Sequence, residues 1–180
     1  LGKGLHKGIE VMWTGDGVAD MINQGDLDFF KTATGGMAPF IWLNYPVNDY
    51  CIGHMLMGKF YGNDKGNNAF GGKMTAFTSN PMEYAEASKV ALYGVADYAW
   101  NMKDYNPEAN WERAIRYLMP NNAEAFHVFC EHNVDLGWTV HGLRREGESP
   151  NFNVNGTLDE QKDQFDLMVE AADALLADTY

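Results

Sequence analysis

Three short apolar runs in the first half of the chain predict buried strands. β-Branched and aromatic side chains without clean alternation are typical of strands that lie inside a sheet. A short helix is expected at 26–33, stopped by Gly35-Gly36, and the Gly- and Asn-rich stretch 58–72 is expected to be largely loop. The three runs cover residues 9–13 (IEVMW), 39–43 (PFIWL) and 74–78 (MTAFT), each bounded by Gly, Asn or Pro.

The spacing of these runs predicts the architecture of the first half. Their ends recur about every 30 to 36 residues, and a (β/α)8 barrel spends about 31 residues on each βα unit. The first 80 residues are therefore predicted to form three βα units, which is three-eighths of such a barrel.

The second half of the chain carries the capping motifs and the apolar spacing that are typical of helices. Asn80-Pro81-Met82-Glu83 combines an N-cap, a proline at the first helical position and a carboxylate that closes a capping-box-like pair. Asn106-Pro107 predicts a second helix that Pro120 ends, a third is expected at about 123–133, and Thr157-x-x-Glu160 is the capping box of the last. The apolar positions predicted to face inward are Ala85, Leu92, Val95, Ala96 and Ala99 in the first helix, Trp111, Ala114, Ile115 and Leu118 in the second, and Phe165, Met168, Ala172 and Leu175 in the last.

The composition and the net charge argue against two classes of partner, nucleic acids and membranes. The 180 residues are 46% hydrophobic and 13% aromatic, enough for a packed core, and the formal net charge is −12. An acidic surface repels phosphate backbones, so no nucleic-acid partner is expected. No apolar run approaches the roughly 18 residues of a membrane helix, so no membrane partner is expected. Cys51 and Cys130 fit no metal or redox spacing and are expected to be free and buried.

Polar residues directly follow all three predicted strands. Thr14 follows the first, Asn44 and then Asp49 follow the second, and Asn80 follows the third. In (β/α)8 enzymes the active site is built from residues just beyond the C-terminal ends of the strands. Asn and Asp side chains offer planar donors and acceptors that suit adjacent sugar hydroxyls. Apolar faces that suit a pyranose ring are close in sequence, at Trp13, Trp42 and Tyr45.

Several of the candidate site residues could also have a purely structural role, which the sequence does not exclude. Asn80 also fits a helix cap, and Asp49 also fits a loop carboxylate that caps local backbone. Trp42, inside an apolar run, also fits the core. Trp138 also fits a residue that simply covers the helices.

Other motifs predict no chemistry. His127, Cys130 and His132 do not converge on one face of a helix, so no metal site is predicted. The Gly-rich stretches 14–17 and 71–73 match no complete phosphate loop. The residues alone therefore indicate a barrel enzyme with a polar, aromatic-rich site.

Four longer motifs occur in order along the chain. They are Met12-Trp13-Thr14-Gly15, Trp42-Leu43-Asn44-Tyr45-Pro46-Val47-Asn48-Asp49-Tyr50, Asn80-Pro81-Met82-Glu83-Tyr84-Ala85-Glu86 and Ala96-Asp97-Tyr98-Ala99-Trp100-Asn101. In sequence, order and approximate spacing they resemble bacterial members of glycoside hydrolase family 84, over about residues 9–150. Enzymes of that family are called β-N-acetylglucosaminidases, O-GlcNAcases and sometimes hyaluronidases.

The resemblance implies a role for each candidate. In that family the positions of Asn44, Asp49 and Asn80 bind hydroxyls of the terminal N-acetylglucosamine. Trp42 matches a residue that lines the acetamido pocket, and Thr14 matches a position near it. Trp138 resembles a tryptophan of the helical domain that reaches over the site in some bacterial members.

The resemblance also implies a mechanism without metal or organic cofactor. Family members retain configuration by substrate assistance, in which the acetamide oxygen of the substrate attacks the anomeric carbon. One Asp orients the acetamide, and its direct neighbour in sequence is the general acid/base. This chain contains no Asp-Asp pair, so the catalytic pair is expected upstream, on an earlier barrel strand.

The expected protein is therefore a fragment of α/β plus all-α class. Residues 1–80 are predicted to be the C-terminal three βα units of a TIM barrel, and residues 81–180 a helical bundle. The parent would act on a glycan or glycoprotein carrying terminal β-linked N-acetylglucosamine. Because the chain opens with Leu1 and shows no signal-peptide pattern, an internal cut is expected there.

Two further expectations concern context. The resemblance implies a secreted or periplasmic bacterial protein, and a fragment that is inactive unless the missing barrel segment is supplied as another chain. The alternatives from other classes are a non-catalytic glycan-binding module and a purely structural module that packs on a partner.

Overall fold

The structure is a computed structural model that describes residues 4–6, 8–15, 22, 24–43, 57–60, 73–81, 85–132 and 158–177. Three strands and five helices lie in these ranges: β1 (Met12–Trp13), α1 (Gln24–Thr34), β2 (Phe40–Leu43), β3 (Ala76–Ser79), α2 (Lys89–Trp100), α3 (Pro107–Leu118), α4 (Ala123–Glu131) and α5 (Leu158–Ala177). None of these helices is long and apolar enough to cross a membrane. The predicted mixture of a parallel sheet followed by helices is confirmed at this level.

The three strands form one parallel sheet in the order β1-β2-β3. Trp13 pairs with Ile41, and Ile41 pairs with Phe77. The main-chain N–H of Asn80 donates to the carbonyl oxygen of Leu43 at 2.9 Å, so hydrogen bonding continues beyond the last paired residues. All three predicted strands are present. They are shorter or shifted because pairing with a neighbour, rather than apolarity, decides where a strand ends.

The sheet has one covered and one open face within the described residues. Successive side chains of a strand point to opposite faces, so the paired residues Trp13, Ile41 and Phe77 share a face, which packs against α1 and α2. On the opposite face, Met12 is 51% exposed and Trp42 is 37% exposed. Apolar residues on both faces are the pattern of a strand that is buried on both sides, and the described residues cover one of them.

A first core cluster joins the sheet to the two helices beside it. Ile41 of β2 is fully buried, and Leu27 of α1 and Val95 of α2 pack around it. The ring of Tyr98 from α2 lies edge-on to the ring of Phe60, with 5.4 Å between centroids. Burial raises the pKa of the Tyr98 hydroxyl to about 12, which agrees with its place in this core cluster.

A second core cluster holds the helices to one another. Val90 of α2 packs against α3 and α4, and Leu175 of α5 lies at the edge of the cluster. The predicted start of α3 is confirmed, because the side-chain oxygen of Asn106 accepts a hydrogen bond from the N–H of Ala109 at 3.0 Å. The residues of α3 and α4 in this cluster are Trp111, Ala114, Ile115, Phe126 and Cys130; the first three were predicted to face inward.

The prediction for α2 is wrong in two respects. Residues 85–88 form turns and the helix begins at Lys89, so Asn80 does not cap α2. The buried positions are Val90, Ala91, Gly94, Val95 and Tyr98, while the predicted inward residues Ala85, Ala96 and Ala99 are exposed. Alanine fits either environment, so a stripe built mainly from alanines does not define a face; the larger side chains do.

The remaining helices lie close to their predicted positions. At the end of α1, Gly35 and Gly36 have φ of 76° and 109°, and the N–H of Gly36 donates to the carbonyl oxygen of Lys31 at 2.7 Å, as in a Schellman motif. In α5 the predicted stripe is half-buried, with Ala171 buried beside it. The division into 1–80 and 81–180 stays a prediction, and α2, just beyond it, contacts both the sheet and α3.

Gly94 allows α2 to approach its neighbours closely. A Cβ atom at this position would lie 2.8 Å from Cβ of Phe60 and 3.1 Å from the hydroxyl oxygen of Tyr105. Phe60 is buried, and its Cβ cannot move without its backbone. A side chain of any size at position 94 would therefore push this segment away from the helix.

Gly94→Ala is expected to lower the free energy of unfolding by about 1–3 kcal/mol through overpacking, although alanine is the better helix former by about 1 kcal/mol. Ala99→Gly, at an exposed position of the same helix, is the control and is expected to lose roughly 0.5–1 kcal/mol from helix propensity alone. Urea unfolding measures both. A Gly94→Ala protein at least as stable as the wild type would contradict the close approach.

Candidate functional site

Three of the predicted site residues lie at or near the C-terminal ends of the three strands. Thr14 directly follows β1, Trp42 is the third residue of β2, and Asn80 directly follows β3. Since the strands are parallel and in register, their C-terminal ends meet at this edge. Asn44, Asp49 and Trp138 lie outside the described residues, so their roles stay predictions, as do the roles of the three residues that the structure describes.

Trp42 is not part of the described core. It pairs with Thr78 of β3 on the open face of the sheet, and more than a third of its surface is exposed. Within the described part of the chain Trp42 is therefore partly exposed, and both its core interpretation and its role in a site stay predictions.

The main chain fixes the position of Asn80. Its N–H donates to Leu43 O, and among the described residues this is the last backbone bond between β2 and β3 at the C-terminal ends of the strands. The cap interpretation of Asn80 does not apply to α2, which begins at Lys89 with Ser88 as its N-cap residue. The position of Asn80 at the sheet edge thus follows from strand pairing.

Side chains of α3 and of the connection before it hold the chain between β2 and β3 at residues 57–60. The indole N–H of Trp111 donates to the carbonyl oxygen of Met57 at 2.9 Å. The hydroxyl of Tyr105 donates to the carbonyl oxygen of Phe60 at 2.6 Å. Two main-chain acceptors of this segment are thus satisfied by α3 and the turn before it, as buried carbonyl groups require.

An ion pair adds to these contacts. Nζ of Lys59 lies 2.5 Å from Oε2 of Glu108 and 4.7 Å from the centroid of the Trp111 ring. Sequence reasoning placed Trp111 on an apolar stripe and missed its role as a donor. The available signal was the indole N–H itself, because a buried tryptophan usually finds an acceptor.

A polar contact inside one of the family-like motifs joins α2 to α3. Oδ2 of Asp97 accepts hydrogen bonds from Nδ2 of Asn110 at 2.9 Å and from Nη2 of Arg113 at 2.8 Å. Asn110 is buried, so the carboxylate provides a partner that its amide needs. In the described structure the motif 96–101 therefore has a structural role.

A family model for β-N-acetylglucosaminidase matches residues 1–131, well over half of the chain. The chain belongs to the β-N-acetylglucosaminidase family. This match includes the strand ends that carry Thr14, Trp42 and Asn80, and it ends at the last residue of α4.

Solved structures agree with this membership of the β-N-acetylglucosaminidase family. CpGH84B superposes with a TM-score of 0.70 at 25% identity, over 98% of this chain and 32% of that one. CpGH84D superposes with a TM-score of 0.64 at 26% identity, over 97% of this chain and 31% of that one. A mutant O-GlcNAc hydrolase from Thermobaculum terrenum superposes with a TM-score of 0.60 at 23% identity, over 94% of this chain and 37% of that one. The resemblance to glycoside hydrolase family 84 is thus confirmed, and the chain spans about a third of the length of these proteins.

His127 and Cys130 of this family member have structural surroundings in the described part of the chain. Among the described residues, no three His, Cys, Asp or Glu side chains are grouped to hold a metal ion. Nδ1 of His127 lies 3.1 Å from Glu112, and its ring packs on Trp111. Cys130 is free and buried, as expected, and burial raises its thiol pKa to about 12; Cys51 lies outside the described residues.

Cys130 is expected to resist alkylation in the native protein at pH 8, because its thiolate is scarce there and its sulfur is buried. Peptide mass spectrometry after brief treatment with a thiol reagent measures the modified fraction, with protein unfolded in urea as the control. Native and unfolded protein reacting at equal rates would show that Cys130 is accessible.

Proposed function

We propose that the chain is the C-terminal part of the (β/α)8 barrel, together with the helices that follow, of a retaining glycoside hydrolase that removes terminal β-linked N-acetylglucosamine. The observation that carries the proposal is the grouping of Thr14, Trp42 and Asn80 at the C-terminal edge of a parallel sheet, in a chain of the β-N-acetylglucosaminidase family. Barrel enzymes build their active sites at this edge.

The two faces of the sheet support the barrel. In a closed barrel the outer face of each strand packs against helices and the inner face against side chains from the other strands. Here α1 and α2 cover one face, and Met12 and Trp42 lie on the other. The remaining strands, on the same polypeptide or on a separate chain, would cover this second face and extend the sheet beyond β1 and β3.

The proposed substrate site combines hydroxyl recognition with an acetamide pocket. Asn44, Asp49 and Asn80 bind the hydroxyls of a terminal N-acetylglucosamine on a glycan or glycoprotein. Trp42 lines the pocket of the acetamido group, with Thr14 nearby. Trp138 reaches over the bound sugar from the helical part.

Catalysis in this proposal uses the substrate itself as nucleophile. The acetamide oxygen attacks the anomeric carbon, so configuration is retained without a covalent enzyme carboxylate. An Asp pair outside this chain supplies the group that orients the acetamide and the general acid/base that protonates the leaving oxygen. The chain has no Asp-Asp pair, so its own residues bind and orient the sugar, and the chain alone is inactive.

A non-catalytic glycan-binding module would use the same sugar contacts, and it differs from the enzyme in turnover. Hydrolysis of an aryl β-N-acetylglucosaminide by the complete parent protein, with the product in the β configuration at early times, supports the enzyme. Binding of the sugar without hydrolysis supports the module.

Asp49→Ala in the complete parent is expected to lower kcat/KM about ten- to a hundredfold. A carboxylate that accepts sugar hydroxyls makes charge-assisted hydrogen bonds of roughly 1.5–3 kcal/mol, and their loss appears in kcat/KM. Asp104→Ala, at an exposed carboxylate in the turn after α2, is the matched control. Equal kinetics for the two variants would remove Asp49 from the site.

Trp42→Ala is expected to lower kcat/KM by roughly ten- to a hundredfold, since burying an aromatic side chain against a ligand is worth about 1.5–3 kcal/mol. Trp100→Ala is the control, because Trp100 is 90% exposed at the end of α2. Steady-state kinetics with a β-N-acetylglucosaminide measures both, and Trp42→Phe should recover part of the loss. A Trp42→Ala enzyme with wild-type kinetics would exclude contact with the sugar.

A further inference from the structure

Thr78 of β3 lies beside Trp42 on the open face of the sheet. The two residues are partners in the parallel pairing of β2 with β3. Paired residues of neighbouring strands carry their side chains on the same face, and the strands are about 4.8 Å apart. The residue before it in β3, Phe77, points to the other face and packs against the first core cluster. Thr78 therefore borders Trp42 on the face that the proposed barrel encloses.

Large and small side chains are paired on this face. Phe40 of β2 pairs with Ala76 of β3, and Trp42 pairs with Thr78, so each ring of β2 has a small neighbour on β3. Side chains of complementary size are the usual way to fill the interior of a small barrel. The size of the side chain at position 78 therefore limits the space around the Trp42 ring.

Thr78 lies one layer deeper in the sheet than Asn80. The N–H of Asn80 donates to the carbonyl oxygen of Leu43, so the extended pairing continues to Asn80, and side chains two residues apart on a strand share a face. The rise of about 3.3 Å per residue places Thr78 about 6.6 Å below Asn80 along the strand. In the proposed function Asn80 binds a sugar hydroxyl and Trp42 lines the acetamido pocket. Thr78, as the partner of Trp42, is therefore at the level of the acetamido pocket.

We propose that Thr78 is a specificity-determining residue of the sugar site: beside Trp42, its side chain forms a wall of the acetamido pocket and limits the N-acyl group to the size of an acetyl group. This inference rests on the proposed function. One methylene changes the selectivity of a tight apolar pocket by roughly ten- to two-hundredfold, so a side chain of this size can exclude a longer acyl group. Thr78 lies in the apolar run 74–78, and the sequence predicted no role for it.

The test uses the complete parent protein and two aryl β-glucosaminides, whose amino group carries either an acetyl or a propionyl group. The measured quantity is kcat/KM for the propionyl substrate divided by kcat/KM for the acetyl substrate. Thr78→Ala removes a hydroxyl and a methyl group from the pocket wall and is expected to raise this ratio about tenfold, as for one methylene. Thr78→Val keeps the branched shape and is expected to leave the ratio nearly unchanged. A rise in Thr78→Val as large as in Thr78→Ala would assign the effect to the hydroxyl and overturn the proposal.

Thr75→Ala is the matched control. Thr75 is exposed just before β3, where its hydroxyl donates to the carbonyl oxygen of Pro39 at 3.2 Å, so the same chemical change is made away from the proposed pocket. Because both substrates are assayed on one preparation, a loss of folded protein lowers both rates equally and cancels in the ratio. Thr78→Ser removes only a methyl group and should raise the ratio less than Thr78→Ala. Ratios for both Thr78 variants equal to that of Thr75→Ala would overturn the proposal.

The wild-type parent separates this inference from the proposed function. A parent that hydrolyses the acetyl substrate and accepts the propionyl substrate equally well overturns the role of Thr78 and leaves the proposed function intact. A parent that neither binds nor hydrolyses the acetyl substrate overturns the proposed function. If the parent binds both compounds without turnover, the ratio of their dissociation constants replaces the ratio of kcat/KM, and the same outcomes for Thr78→Ala and Thr75→Ala decide.

Discussion

Helix α2 has to pack against two neighbours at once, and the described fold depends on this requirement. Val95 and Tyr98 face the sheet and the 57–60 segment, whereas Val90 packs among the helices that follow. The position of α3 relative to β2 and β3 therefore depends on how α2 packs against both. At Gly94 the helix comes close to Phe60, Tyr105 and Asn110, so its spacing from the 57–60 segment and from α3 depends on a residue with no side chain.

Directed polar contacts complement this apolar packing. Hydrophobic burial is not directional, so the clusters alone would tolerate sliding of α3 along α2. The carboxylate of Asp97 removes that freedom, because it binds Asn110 and Arg113 from successive turns of α3. Trp111, between those two residues in sequence, then points its N–H at Met57. The α2–α3 register and the anchoring of the 57–60 segment are in this way parts of one arrangement.

The sequence located those elements whose signals are local. Asn106-Pro107 marks the start of α3, and Gly35-Gly36 supplies the positive φ angles that end α1; each signal needs only its neighbours. Signals that depend on distant partners were misread. The buried face of α2 is chosen by Tyr98 meeting Phe60 and Phe77, which alanine spacing does not reveal. The donor role of Trp111 depends on a carbonyl group 54 residues away in sequence.

The open face of the sheet also constrains how such a chain could exist apart from the rest of a barrel. Among the described residues Met12 and Trp42 are exposed there, and no described strand pairs with the outer side of β1 or β3. Both features favour association of a chain with its own copies. Reconstitution from two separately made pieces would then be a kinetic competition between complementation and self-association. Its yield would rise when the complementary piece is present from the start of folding and fall as the concentration of this piece alone increases.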